Sequence, residues 1–472
     1  MKAVILAAGS GSRFKHQGVL TPKPLIRLGG LSLLERTIHT ASKAGASEFL
    51  VVLGAQAEPI RSALEQRLSA FPVRWILNER WSAGNGTSVL ATEPFVNRNE
   101  CFLVLMADHL LFAPTLRRLM AQASQGPECV LAIDRKTSSV IDVADATKVH
   151  LQGRRVLELD KALVQYDALD IGASVCNAAF FDALRDAASR QQGHCSHSDG
   201  MRALIKRHLL TAHDIGEDVW EDVDSPEAHQ AAEKVLFESL RKPTDGFMSR
   251  HLERRLSLAV TRRLMNTRLT PNQATLAIVT LGAVAAGLFA QPGYGPKVLG
   301  ALLFWCSSFL DGCDGELSRL KFMETRLGGW LDLWSDNIVH MLVFLGISLG
   351  LFRDRQDPLW LYLGAAAALG VFLSVSWVSW TLSKQKKSQG PLYTGVGELS
   401  SQETGWIVRL TELANALSRR DFIFGVIFLA LLGWLPWFLW AAAVGSNIYW
   451  LLLLAIAFGK HRHSKPVVGV WS

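Results

Sequence analysis

The chain has 472 residues, too many for one ordinary domain, and it carries a net charge of +7. Its lysines and arginines gather beside long apolar runs in the second half, which favours anionic lipid headgroups over nucleic acid as their partners. The six cysteines form no CxxC pair, which argues against a disulfide framework and indicates reduced thiols in a cytoplasm-facing protein.

The first half alternates β-rich runs with helical patterns. The runs lie at 2–8, 48–54, 73–78, 101–107 and 129–134, and amphipathic stretches separate them. This alternation predicts an α/β domain over residues 1–232, with a Rossmann-like, mostly parallel mixed sheet and ligands at the carboxyl ends of its strands. The opening apolar run is too short for a signal peptide, so we expect this domain to stay in the cytoplasm.

A glycine loop follows the first predicted strand. It reads LAAGSGSR at 6–13, and Pro22-Lys23 comes ten residues after Arg13. Backbone N–H groups in such a loop can approach phosphate oxygens, and Arg13 and Lys23 add positive charge for a polyphosphate. With this spacing the segment resembles the nucleotidyltransferases that activate sugar phosphates and related alcohol phosphates.

That resemblance covers residues 1–232 and implies roles for individual residues. Arg13 and Lys23 would be catalytic, and Asp108 would bind magnesium with a second carboxylate, either Asp222 or Asp224, of which we favour Asp224. The predicted nucleotide-binding residues are Leu6, Ala7, Ala8, Gly9, Gly11, Lys23, Asn85, Gly86 and Ser88. The predicted substrate-binding residues are Asn78, Lys161, Asp170 and Gly172.

The finer resemblance concerns the substrates. The Gly-Asn-Gly spelling at 84–86 and the pair Asp108-His109 look most like the branch that uses CTP and inositol 1-phosphate. A second cluster, His194, Cys195 and His197, has the residue types of a metal site. Because it lies in a polar stretch before a helix, we interpret it as an ordinary solvated loop.

Residues 233–268 read as a linker followed by a juxtamembrane amphipathic helix on the membrane surface. Three arginines of this segment have two interpretations. Arg250, Arg254 and Arg262 either line an anionic substrate pocket or serve as charges that set the membrane topology.

Residues 269–472 predict an all-α transmembrane bundle. Six apolar segments lie at 273–291, 296–312, 328–352, 358–383, 421–436 and 438–458. Only Leu-Pro-Trp separates the last two, so five spans with one re-entrant hairpin are the alternative. Every basic loop then falls on the side of the N-terminal domain, which predicts a multi-pass protein of the cell (inner) membrane with both termini and both active sites in the cytoplasm.

Four aspartates follow the second apolar segment. Asp311 and Asp314 are three residues apart, and Asp332 and Asp336 are four apart, so each pair lies on one helix face. Two facing helices would bring these carboxylates together, which is tolerable when cations bind between them. All-oxygen ligation suits Mg²⁺ or Mn²⁺ bridging phosphates.

The whole pattern resembles the signature of the CDP-alcohol phosphotransferases, a six-helix membrane family that releases CMP. The resemblance implies that Asp311, Asp314 and Asp332 hold the metals and that Asp336 is both a ligand and the catalytic base. Ser318 departs from the alanine usual in the family. The resemblance assigns nucleotide binding to Gly315, Ser318, Arg319 and Gly328. Small residues in the third and fourth segments would also permit a homodimer through the membrane domain.

The two halves fit one reaction sequence. The whole chain resembles bifunctional enzymes that join an inositol-1-phosphate cytidylyltransferase to a di-myo-inositol-phosphate phosphate synthase. This implies that CTP and an alcohol phosphate give a CDP-alcohol, from which the alcohol phosphate passes to an acceptor alcohol. With inositol 1-phosphate as the acceptor, the product would be di-myo-inositol phosphate phosphate. That product is typical of heat-loving organisms, whereas only 19% of this chain is charged, a low share for a protein of such an organism. A lipid acceptor and phospholipid biosynthesis, another alcohol phosphate (glycerol, ethanolamine or choline), or a non-catalytic scaffold or transporter therefore stay as alternatives.

Overall fold

The computed structural model of the chain describes residues 1–9, 21–123, 126–136, 146–240, 253–384 and 422–463. These residues form two compact units, Met1–Ser239 and Leu240–Ser472. The division falls inside the segment 233–268 that the sequence marks as a linker. Among the predicted site residues, Gly11, Arg13 and Arg250 lie outside the described residues.

One mixed sheet organises the first unit. Its strands are β1 (Lys2–Ala7), β2 (Glu48–Leu53), β3 (Val73–Leu77), β4 (Phe102–Met106), β5 (Cys129–Asp134), β6 (Lys148–Gln152), β7 (Arg155–Asp160), β8 (Ala168–Cys176) and β9 (Leu210–Asp214). They are ordered β3-β2-β1-β4-β8-β5-β9-β7-β6. The strands β3, β2, β1 and β4 run parallel, and β8 is antiparallel to both of its main neighbours. The predicted α/β class is confirmed, and its first five strands match the predicted runs to within one residue at each end.

Helices cover both faces of this sheet. They are α1 (Leu33–Ala44), α2 (Ala57–Leu64), α3 (Asn85–Leu90), α4 (Ala113–Met120), α5 (Ala178–Arg190), α6 (His197–Lys206) and α7 (Pro226–Glu238). In β1, Ile5 packs in the core that includes α1, whereas Val4 and Leu6 pack in the core that includes α5 and α6. A strand buried on both faces is expected to be an uninterrupted apolar run, which explains the sequence of β1.

Helices make up the described part of the second unit. They are α8 (Arg254–Leu264), α9 (Pro271–Phe289), α10 (Tyr294–Leu320), α11 (Arg326–Arg355), α12 (Leu359–Lys384), α13 (Phe422–Leu431) and α14 (Leu435–His463). Within the described ranges, four helices are long and apolar enough to cross a membrane: Pro271–Phe289, Arg326–Arg355, Leu359–Ser383 and Leu435–Ala457. The helix α10 has 27 residues but carries carboxylates in its second half, and α13 has 10 residues. The count of six spans therefore stays a prediction.

The turn between α13 and α14 lies earlier than predicted. The helix α13 ends at Leu431 and α14 begins at Leu435, whereas the predicted break was the Leu-Pro-Trp sequence at 435–437. Gly433 has a positive φ of 72°, which suits a residue that ends a helix. Pro436 then occupies the first turn of α14, where the missing N–H is harmless. The proline was wrongly interpreted as the break, because it belongs to the start of the next helix.

The small residues of α11 and α12 pack within the unit. A Cβ on Gly346 or Gly350 would lie 2.3 Å from Ala286 O or 2.0 Å from Phe289 O, so both glycines contact the backbone of α9. Gly364 of α12 packs against the side chain of Ser348. This close approach is the use that membrane helices make of small residues. The predicted homodimer therefore gains no support from these glycines.

Candidate active sites

The first candidate site lies where β1 and β4 end. Asp108 follows β4 within two residues, and its Oδ2 accepts a hydrogen bond from Nζ of Lys23 at 2.5 Å. The same Nζ forms an ion pair with Oδ1 of Asp224. The oxygens of Asp108 and Asp224 thus converge on one positively charged position. Burial alone would lower the pKa of Lys23. The carboxylates of Asp108 and Asp224 outweigh burial and raise this pKa well above its ordinary value.

A short antiparallel pair brings a third carboxylate to the site. His109–Leu110 pairs with Glu221–Asp222, which places Asp222 opposite His109. Nδ1 of His109 lies 2.9 Å from Oδ1 of Asp108, and its ring stacks on Trp220. Burial opposes the charging of His109, but Asp222 and Asp108 outweigh it and raise its pKa to about 9. Burial, with the neighbouring Asp108, raises the pKa of Asp222 to about 6.

The acidic groups of this site fit a divalent cation in two ways. Single ligand atoms of Asp108, His109 and Asp222 lie within 4.8 Å of one another, and Oδ1 of Asp222 is buried without a hydrogen-bond partner. Alternatively, Asp108 and Asp224 converge on the position that Nζ of Lys23 occupies. Carboxylate oxygens are the ligands that Mg²⁺ prefers. The donor set therefore fits the metal, and the choice between Asp222 and Asp224 is left to experiment.

A cleft of about 560 Å³ opens beside these carboxylates. Its lining includes predicted site residues from five separate segments of the chain, namely Asn85, Asp108, Lys161, Asp170, Gly172 and Asp224. Burial raises the pKa of Asp170 to about 6, and its Oδ1 accepts a hydrogen bond from the N–H of Gly172 at 2.8 Å. Gly172 has a φ of 73°, and a Cβ there would lie 2.8 Å from the ring of His109. Glycine is thus required at residue 172 by the backbone and by the packing of His109.

Other predicted residues support the cleft from behind. The amide of Asn78 is buried and donates to the hydroxyls of Thr87 and Ser88 at 2.9 and 3.0 Å. Gly86 packs against the backbone of Cys195 and Ser196, where a Cβ would lie 2.7 Å from Ser196 O. Leu6, Ala7 and Ala8 are buried, and Gly9 is exposed. These contacts explain Asn78, Gly86 and Ser88 by local packing, and a direct contact of theirs with substrate stays a prediction.

The interpretation of 194–197 as a solvated loop is wrong for two of its residues. Cys195 is 1% exposed and His197 is 4% exposed, whereas His194 is exposed. Ser196 caps α6, and Oδ1 of Asn85 accepts the N–H of His197 at 2.7 Å. The segment is buried because it packs on residues more than a hundred positions earlier, which no local pattern indicates. His197 lines the cleft, and its Nε2 is buried without a partner.

The second candidate site lies on α10 and α11. Single carboxylate oxygens of Asp311, Asp314 and Asp332 lie within 4.8 Å of one another. Asp314 accepts hydrogen bonds from Oγ1 of Thr275 and from the N–H of Gly315, each at 2.5 Å. Asp336 follows Asp332 by four residues on α11. Three carboxylates this close repel one another unless cations lie among them, so the donor set fits Mg²⁺ or Mn²⁺.

Groups suited to phosphate lie on the same two helices as this cluster. Arg319 lies over Gly315, where a Cβ would be 3.2 Å from its Nη1, and Nε of Arg319 is buried without a hydrogen-bond partner. A phosphate oxygen would satisfy that N–H. Gly328 lies beside Asn272, and its N–H donates to the N-cap Thr325. The hydroxyl of Ser318 bonds back to Gly315 O at 3.4 Å, so serine fits where the resemblance expects alanine.

Comparison with known proteins gives two domain matches and several long relatives. Residues 3–211 match the MobA-like NTP transferase domain, and residues 268–401 match the CDP-alcohol phosphatidyltransferase domain. The "Bifunctional IPC transferase and DIPP synthase" of Rubrobacter xylanophilus is 35% identical over 84% of this chain and 86% of that protein. Proteins with the same name from Thermococcus kodakarensis and Archaeoglobus fulgidus are 33% and 30% identical, over 78% and 98% of this chain and 80% and 85% of theirs.

A solved structure is also similar to half of the chain. The inositol-1-phosphate CTP transferase from T. maritima covers 50% of this chain and 95% of its own length, at 22% identity and a TM-score of 0.44. The fold assignment rests on the strand order rather than on this likeness.

These matches define the class of protein to which the chain belongs. The protein is an enzyme with a nucleotidyltransferase domain and a CDP-alcohol phosphotransferase domain, and its C-terminal part carries apolar helices suited to a membrane. The identity and the coverage then give the family. The chain belongs to the family of bifunctional IPC transferases and DIPP synthases.

Proposed function

We propose that the chain catalyses two consecutive reactions. In the first, CTP and inositol 1-phosphate give CDP-inositol and pyrophosphate. In the second, the inositol-phosphate group of CDP-inositol passes to a second inositol 1-phosphate, and CMP leaves. The Asp311–Asp314–Asp332 cluster carries this proposal, because it stands on the same chain as the cleft of Lys23 and Asp108. The shared name of relatives that match over most of their length supports the choice of inositol.

In the first reaction a phosphate oxygen of inositol 1-phosphate attacks the α-phosphorus of CTP. A new P–O bond forms, the bond to the β-phosphate oxygen breaks, and pyrophosphate leaves. Lys23 and Arg13 neutralise the charge that develops on the phosphates. Asp108 and Asp224 would hold Mg²⁺ or Mn²⁺, because their oxygens converge on one cationic position. When bound, the metal polarises the phosphate oxygens.

The cleft residues would orient the two substrates. The glycine loop at Gly9 and Gly11 would approach the triphosphate, while Lys161 would pair with the phosphate of inositol 1-phosphate. Asn85 and Asp170 line the same cleft and offer hydrogen-bonding groups to the polyol. The buried Nε2 of His197 offers another, because a hydroxyl or a water would supply the partner that it lacks.

In the second reaction Asp336 would act as the base on the acceptor hydroxyl. The deprotonated oxygen attacks the phosphorus that carries inositol, the anhydride bond breaks, and CMP leaves with the electron pair. Arg319 would bind the phosphates of the donor, and Gly315 and Gly328, which have no side chain, would let the donor lie close to the backbone. Asp311, Asp314 and Asp332 would hold the metal, which neutralises the charge of those phosphates when bound.

We further propose a multi-pass inner-membrane protein with both termini and both active sites in the cytoplasm. Positive charge supports this orientation, since the basic loops share one side in the six-span arrangement. The beginning of α10 lies on the opposite side in this arrangement, and Lys297 there forms an ion pair with Asp354 of α11. That pairing reduces the net positive charge on this side, in agreement with the positive-inside bias.

One assay tests the whole proposal. Purified chain receives CTP, Mg²⁺ and inositol 1-phosphate, and pyrophosphate and CMP are followed separately. We expect both products, with glycerol, ethanolamine and choline phosphates as matched controls giving neither. Pyrophosphate without CMP, followed by CMP release when diacylglycerol or ceramide is added, would identify a lipid acceptor. Failure of inositol 1-phosphate to yield pyrophosphate would rule out the proposed substrate.

A further inference from the structure

Glu316 is a buried carboxylate that neither reaction uses. It lies on α10 two residues after Asp314, and it is 0% exposed. Its Oε1 accepts hydrogen bonds from Nη1 of Arg254 at 2.8 Å and from Oγ of Ser257 at 2.7 Å. Its Oε2 accepts from Oγ1 of Thr261 at 2.6 Å. One side chain of α10 therefore holds three side chains of α8.

The three donors occupy successive turns of α8. Their spacing of three and four residues puts Arg254, Ser257 and Thr261 on one helix face, and these are the buried residues of that helix. A buried carboxylate is costly unless it is paired and fully hydrogen-bonded. The contact thus fixes α8 on α10 over two turns. The predicted helix is present, but the face that it buries is polar and contacts protein.

This contact lies on the segment that bears the metal-binding candidates. A Cβ on Gly312 would lie 3.2 Å from Oγ of Ser257 and 3.4 Å from Nη1 of Arg254. Sγ of Cys313 lies 3.4 Å from Ser257 O. Gly312 stands between Asp311 and Asp314 in the chain. The Arg254 guanidinium therefore lies beside the backbone from which two of the clustered carboxylates project.

We propose that Glu316 is a positioning residue of the phosphotransferase site. It fixes α8 against the aspartate segment of α10 and so holds the Arg254 guanidinium beside the place where the diphosphate of a CDP-alcohol binds. A guanidinium carries five N–H donors, so it can bind a carboxylate on one edge and a phosphate on another. Arg254 is then a residue of the anionic substrate pocket and not a charge that only sets the membrane topology. This role rests on the phosphotransferase reaction proposed above, with the CDP-linked diphosphate as the ligand.

The test compares Glu316→Gln with the wild-type chain. Initial rates of CMP release are measured against the concentration of CDP-inositol, with CDP-glycerol and CDP-choline as further donors. Loss of the carboxylate charge releases Arg254, so we expect the KM for the donor to rise about tenfold or more, with a smaller change in kcat. Pyrophosphate release from CTP is the internal control and should change less than twofold. Asp357→Asn, an exposed acid-to-amide change in the same unit, should leave both reactions unchanged.

A double variant separates positioning from folding. Glu316→Gln with Arg254→Gln removes both charges together, so no unpaired charge is left buried. If the Glu316–Arg254 pair had only a structural role, this neutral variant would regain the wild-type KM. That result would overturn the inference. We expect its KM to stay raised, because the phosphate has lost its guanidinium. An unchanged KM in Glu316→Gln would also overturn it. If the wild-type chain turns over another donor but not CDP-inositol, the substrate proposed above is wrong, and the KM values of the variants are compared with that donor. If the wild-type chain turns over no donor, both the proposed function and the role of Glu316 are rejected.

Discussion

The two carboxylate clusters of this chain are balanced in different ways. In the first unit the protein supplies its own cations, because Lys23 contacts Asp108 and Asp224 and His109 contacts Asp108. In the second unit the hydrogen bonds to Asp314 come from neutral donors, the hydroxyl of Thr275 and the N–H of Gly315. A neutral donor leaves the charge of a carboxylate in place. The second cluster should therefore depend more strongly on bound metal, and the first should depend on its lysine.

The largest expected effect concerns the second cluster. Asp314→Asn removes one of three clustered carboxylates with little change in shape. Because Asp314 is one of three carboxylates that would hold the metal, we expect CMP release from CDP-inositol to fall about 1000-fold, equivalent to about 4 kcal/mol. Pyrophosphate release from CTP should stay within twofold of the wild-type rate. If both rates fell together, the two sites would not be independent, and the contrast between the two carboxylate clusters would be wrong.

Lys23→Met tests whether the first carboxylate cluster depends on its lysine. The substitution keeps the length of the side chain and removes the ammonium that contacts Asp108 and Asp224. We expect pyrophosphate release to fall about 100-fold, the cost of removing one charge-stabilising group. CMP release from supplied CDP-inositol should be unchanged. Arg61→Met, at an exposed residue of α2, is the matched control, and a similar loss there would remove the special role of Lys23.

The parts that the sequence predicted share a local signal. Strands β1 to β5 are predictable because each is a short apolar run, and the spacing within each aspartate pair predicts that its two members share one helix face. Strands such as β7 were missed, because RVLELD buries only two of its residues fully and shows no clean alternation. The burial of His197 depends on Asn85, 112 residues earlier, and the role of Glu316 depends on Arg254, 62 residues earlier. Such contacts are set by the tertiary fold, so a single sequence gives no local sign of them.

Acid should weaken the first unit through its buried histidine, His197. Burial lowers the pKa of His197 from 6.5 to about 4, so the folded state keeps the imidazole neutral where the unfolded chain would protonate it. The unfolded chain then binds more protons between these two pKa values. The stability is complete above pH 6.5 and is lost as the pH falls toward 4, by about 2 kcal/mol at pH 5.

The measurement is thermal inactivation of pyrophosphate release at pH 7.5 and pH 5. We expect His197→Gln to lose less stability than the wild-type chain over this interval, while His194→Gln, at the exposed histidine, keeps the wild-type dependence. CMP release followed in the same samples reports on the second unit. An equal pH dependence in all three proteins would mean that His197 is not held neutral in the fold.

The smallest expected effect decides which carboxylate completes the first metal site. Asp224 converges with Asp108 on one cationic position, whereas Asp222 lies 3.9 Å from Nδ1 of His109. If Asp224 is the ligand, Asp224→Asn should raise the Mg²⁺ concentration for half-maximal pyrophosphate release about tenfold, as the loss of one coordinating oxygen weakens binding. Asp222→Asn should lower the rate with little change in that concentration, because it removes a partner of His109. The reverse pattern would make Asp222 the ligand, and it would place His109 in the metal site rather than among the cations that balance it.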